Sequence, residues 1–134
     1  MENTSKRGGL AAEPVAALRK ANQEVLAVAE ESYGIEVLEP GLERALAIVQ
    51  RNPEFEEQFE DQLIDLIDSP GEGAVEVISF LMQALRWESV RQAVEERISH
   101  PRGNISNIRL YEAMLDSFAD FWRDRDLYTR FAGS

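Results

Sequence analysis

The chain has 134 residues, no cysteine and a formal net charge of −11. That length fits one domain with a core of its own, and the missing thiols exclude disulfides and thiolate metal sites. Such acidity argues against nucleic acid or an anionic membrane as partner, because phosphate contacts need clustered lysine and arginine.

Residues 1–12 read as a flexible tail: they are polar, carry Gly8-Gly9 and show no apolar periodicity. They also lack the apolar stretch of a secretory leader. No run in the chain approaches the about 18 apolar residues of a bilayer-spanning helix. The expected location is therefore the cytoplasm.

From residue 13 to 134 the pattern predicts an all-α domain. Pro14, Pro40, Pro53 and Pro70 each precede apolar residues at a period of 3.6, and proline suits the first helical position because its missing N–H is not needed there. The first helix is expected from about Pro14 to Ser32, with Val15, Leu18, Ala21, Val25, Leu26 and Val28 inward and Gly34 as its stop. A second, from about Pro40 to Arg51, turns Leu42, Ala45, Leu46 and Val49 inward. Asn52 is placed to cap a third helix over Pro53 to Asp68. Ser69 to Glu72 fits a capping box for a fourth, over Pro70 to Arg86.

The fourth helix is apolar around most of its circumference. Only Glu76, Ser79, Gln83 and Arg86 form a narrow polar strip, and a helix of that kind belongs at the centre of a fold. A fifth is expected from Ser89 to Ser99, with Arg91 and Glu95 as an exposed i,i+4 pair. The last is expected from about Ile105 to Arg125, packed on the fourth by an arc that includes Tyr111, Met114, Phe118, Phe121 and Trp122. Short connections favour an antiparallel bundle of five to six helices. The alternative is a short HEAT- or tetratricopeptide-like α-solenoid, suggested by helix pairs opening at Pro40 and Pro70.

The charge is unevenly spread. Between Asn52 and Leu85 there are nine carboxylates and no lysine or arginine, so −9 of the −11 lies in this stretch. On the third helix Phe55, Phe59, Leu63, Leu66 and Ile67 share one side, while Glu54, Glu57, Asp61, Asp65 and Asp68 line the other. Glu57–Asp61, Asp61–Asp65 and Glu56–Glu60 are like-charge i,i+4 pairs, each unfavourable by roughly 0.2–0.5 kcal/mol. The simplest account is a solvated face, or one neutralised by Arg86, Arg91, Arg97 or Arg109 of neighbouring helices. The functional account is a docking surface for a basic protein, formed by Glu57, Glu60, Asp61, Asp65 and Asp68, which would speed encounter and reject acidic competitors. Acidic helical proteins of this type include inhibitors, immunity proteins and antitoxins.

Two other functions compete with it. In one, a structural or adaptor subunit forms a homodimer through an aromatic C-terminal surface containing Trp122, Tyr128 and Phe131; core packing is the simpler place for such rings. In the other, the chain is a magnesium-dependent hydrolase, since Glu54-x-x-Glu57 and Asp61-x-x-x-Asp65 superficially resemble the carboxylate helices of such enzymes. That chemistry needs a second acidic motif across the bundle, where only Glu72 and Glu76 stand. His100, the one histidine, lies in a Pro/Gly loop and suits a surface or capping role. No catalytic motif, metal site or cofactor is implied, and the expectation is a non-enzymatic binding protein.

Overall fold

In a computed structural model, the described residues are 2–31, 35–101, 107–120, 122, 127–128 and 130–131. They form α1 (Glu2–Glu31), α2 (Ile35–Arg51), α3 (Glu56–Asp68), α4 (Glu72–Leu85), α5 (Glu88–Ser99) and α6 (Ile108–Asp116), with a 3-10 turn at Pro53–Phe55. No strand occurs among them, so the all-α reading holds. The central helix is α4. It touches α1, α2, α3 and α6, while α5 packs on α3 and α6. That arrangement is a bundle around one helix. In a linear solenoid each repeat would meet only its neighbours in sequence.

The apolar pattern accounts for the core. Leu18, Ala21 and Val25 of α1, Leu42, Ala45, Leu46 and Val49 of α2, and Phe59, Leu63 and Ile67 of α3 are all buried. They surround Val77, Ile78, Phe80, Leu81 and Met82 of α4. Two glycines let α1 approach closely. A Cβ on Gly41 would lie 2.8 Å from Val25 Cγ2, and one on Gly73 would lie 2.9 Å from Leu26 Cδ2.

Several boundaries differ from the sequence reading. The backbone is helical from Glu2, so Pro14 lies inside α1. Neither Gly8-Gly9 nor an interior proline favours that extension, and local propensity offers no reason for it. Pro40 likewise lies inside α2. Here the extra N-terminal turn carries Leu38 into the core, a gain that offsets the poor propensity. Asn52 does not cap the helix that follows it. Its Nδ2 donates back to Ile48 O at 2.8 Å, satisfying a carbonyl at the end of α2. The expected capping box is not formed either, because Gly71 is the N-cap of α4 and no side chain caps it. The stop at Gly34 and the residues Phe121, Ile105 and Arg125 lie outside the described residues.

The narrow polar strip on α4 is itself partly buried. Ser79 and Gln83 are 2% and 7% exposed. Gln83 Nε2 donates to Ser117 O at 2.7 Å and to Ala119 O at 3.1 Å, just past the end of α6. The last helix is also shorter than expected: α6 ends at Asp116 and a turn follows over residues 117–120. The chain beyond it comes back across the bundle. Phe80 of α4 meets Tyr128 and Phe131 at ring-centroid distances of 5.1 and 5.2 Å, and Trp122 stacks on Tyr128 at 5.7 Å. Tyr128 Oη donates to the Glu76 carboxylate. Arg130 forks onto Glu43 of α2 at 2.7 and 2.8 Å. Trp122, Tyr128 and Phe131 are buried, so the proposed aromatic contact surface is corrected: these rings pack in the core, on α4.

Candidate docking surface

Helix α3 lies across the bundle with Phe59, Leu63 and Ile67 facing in. Their spacing of four residues keeps one stripe buried and turns the opposite stripe to water. Glu54, Glu56, Glu57, Asp61, Asp65 and Asp68 are exposed, and Glu60 is half-buried. The helix is tied to α1 by Gln62, whose Nε2 donates to Val15 O at 2.6 Å. At its far end Tyr111 of α6 donates to Ile67 O at 3.0 Å.

The sequence-predicted residues do not share one fate. Asp68 is taken up within the molecule: Arg97 of α5 donates to its Oδ1 at 2.7 Å, while also bonding Ala93 O. The reason is local. Asp68 sits at the C-terminal end of α3, where the helix dipole disfavours an anion, and Arg97 offsets that. Asp68 is thereby corrected from open docking residue to structural ion pair.

Of the other arginines considered as neutralisers, none pairs with α3 among the described residues, and Arg109 has no ion pair there at all. Arg86 pairs with Asp120, and Arg91 pairs with Glu88 and Glu95. The Arg86 guanidinium holds the Asp120 carboxyl below the usual carboxylate range. Glu57, Asp61 and Asp65 have no ion pair among the described residues. Three carboxylates therefore remain open along two turns of one face.

Glu60 differs from these three. It turns toward α5, and burial, helped by a carboxyl contact with Glu56 and the charges of Glu56 and Glu57, pushes its carboxyl up from the usual value. The Ser89 hydroxyl pulls partly the other way but closes no hydrogen bond of good geometry. A carboxyl raised in the folded state is one whose protonated form folding favours. Its contribution is present at low pH and is lost as pH rises through the folded value. Glu60→Gln is accordingly expected to stabilise the protein at neutral pH by roughly 0.2–0.5 kcal/mol for each like-charge neighbour relieved. The gain should shrink to nothing as pH falls through the carboxylate range. Urea titrations of both proteins across that range measure it, and a Gln variant less stable at neutral pH would contradict the account.

His100 is exposed at the C-cap of α5, its backbone N–H bonded to Glu96 O at 2.8 Å. Glu76 is half-buried and bonded by Tyr128. The side chain of Glu72 lies outside the described residues. Among the described residues no three His, Asp or Glu side chains gather in a way that could hold a metal ion. No described helix is long and apolar enough to cross a membrane. What sequence reasoning missed is Asn22 on α1, a buried polar residue beside the acidic helix. Its position within the α1 pattern, next to Ala21 and one turn before Val25 and Leu26, was the available signal. No protein-family model, no curated protein and no solved structure matches the chain.

Proposed function

We propose that the protein is a non-enzymatic binding module that docks a basic protein through the acidic face of α3, in the manner of an inhibitor, immunity protein or antitoxin. The observation that supports this best is the open row Glu57, Asp61 and Asp65: three exposed carboxylates with no ion pair among the described residues. Like charges in neighbouring turns cost stability, and a cationic partner would convert that cost into attraction. A face of one sign accelerates encounter with a basic surface and disfavours acidic competitors. Glu60 contributes at the edge of the row. The cytoplasm is the proposed location, in keeping with a chain free of cysteine.

Replacing Asp61 and Asp65 together by lysine tests the reading. A basic partner captured at low salt is expected to associate about tenfold more slowly with the double variant. The salt dependence of that rate should flatten, with little change in dissociation. Surface plasmon resonance at several ionic strengths reads both constants, and circular dichroism checks the fold. An unchanged association rate on an intact fold would overturn the proposal.

A further inference from the structure

The acidic row borders a cleft between α1 and the α3–α4 corner, made of two adjoining cavities of about 290 and 410 Å³ that share Leu26 and Ser69. Its apolar lining comes from Leu26 and Ala29 of α1, Leu66 of α3 and Ala74 of α4. Helices α1 and α4 meet tightly beside it, where Gly73 has no room for a Cβ against Leu26. Asp65 lines one cavity and Glu30 the other, and neither has an ion pair among the described residues.

Asn22 also lines the cleft. It is 5% exposed, and its Oδ1, itself closed to solvent, has no hydrogen-bond partner among the described residues. Arg19 is the one base along the cleft, exposed and without an ion pair among the described residues. Apolar lining and flanking carboxylates together describe an occupant that is both apolar and cationic.

We propose that this cleft seats an amphipathic basic segment of the partner. A long aliphatic side chain lies on Leu26, Leu66 and Ala74, and a lysine or arginine lies beside Asp65. This rests on the proposed docking of a basic protein and adds where the partner inserts and what chemistry inserts. Open charge supplies the encounter, and the cleft supplies the selectivity that a flat acidic face lacks.

Two fluorescein-labelled peptides of equal length and charge serve as probes, one built of lysine and leucine, the other of lysine and serine. Anisotropy titrations of the full chain at low salt are expected to show the Lys/Leu peptide binding at least about tenfold more tightly, the effect of burying one leucine. Gln23 is exposed, uncharged and lines the cleft. Gln23→Trp should abolish the preference and leave weak, salt-sensitive binding of both peptides. Arg19→Glu should tighten the Lys/Leu peptide several-fold, and this arm stands in if Gln23→Trp does not fold. Equal binding of the two peptides, a preference that survives Gln23→Trp, or no response to Arg19→Glu overturns the cleft. If equal binding is lost on replacing Asp61 and Asp65 by lysine, the acidic face stands without the cleft. If neither peptide binds at low salt, both proposals fall.

Discussion

Replacing Phe80 by alanine is expected to destabilise the protein by about 3–5 kcal/mol, the cost of a large ring removed from a core that cannot collapse around the space. Phe80 is wholly buried on α4, which touches α1, α2, α3 and α6. It is also the ring on which Tyr128 and Phe131 close. The loss should therefore do two things. It should lower the urea midpoint, and it should loosen the returning C-terminal segment from α4 ahead of the rest. Domains of this size hold about 5–15 kcal/mol in all, so the variant is expected to lie near the edge of folding at physiological temperature. Equilibrium unfolding followed by tryptophan emission checks it, because Trp122 stacks in the same cluster. A stability loss of less than about 0.5 kcal/mol, the range of an ordinary surface change, would mean that these aromatics do not form part of the cooperative core.

Gln83→Leu should be the next most damaging of the substitutions considered, at about 1–3 kcal/mol, although it adds an apolar side chain of similar size to a buried position. The reason is an orphaned acceptor. Gln83 Nε2 serves the carbonyls of Ser117 and Ala119 where α6 gives way to a turn. The bond to Ser117 is buried, so water does not replace it, whereas the bond to Ala119 is only partly buried. Most of the loss should thus come from Ser117 O. Gln83→Glu gives a complementary test. Ionised, it cannot donate and faces two carbonyl oxygens; protonated, it donates again. Its stability deficit relative to the parent is expected to narrow as pH falls through the carboxylate range. Thermal melts at neutral and acid pH measure this, and a deficit that stays constant or widens on acidification would contradict the hydrogen-bond account.

These two residues mark the boundary of what could be read from residue order. Phe80 sits among Val77, Ile78, Leu81 and Met82, and such a run is apolar all round; its central place followed directly. Gln83 read only as one member of a narrow polar strip, because polarity alone does not say whether a carbonyl from elsewhere awaits the side chain. Asn52 was misjudged for a related reason: its amide has two helix ends within reach, and only geometry selects the earlier one. Pro40 was read as a helix start because local propensity favours it there. Burial of Leu38 two residues earlier outweighs that preference.

The acidic face divides in the same way. Its existence was legible, since four-residue spacing of Phe59, Leu63 and Ile67 forces the carboxylates between them outward. Its membership was not. Asp68 belongs to Arg97, a residue 29 positions away, and Glu60 turns toward Ser89 of α5. The cleft beside Asp65 needs α1, α3 and α4 at once, so no segment alone announces it.

Residue order by itself determined that this chain is helical, which stripe of each helix is buried, and that its negative charge collects on one of them, because these follow from a 3.6-residue period acting on neighbours in sequence. Tertiary structure alone decided which carboxylates stay open, where the C-terminal aromatics go and what lies next to the acidic row. Those outcomes depend on pairings between residues far apart in the chain, and their energies arise only when the helices have packed.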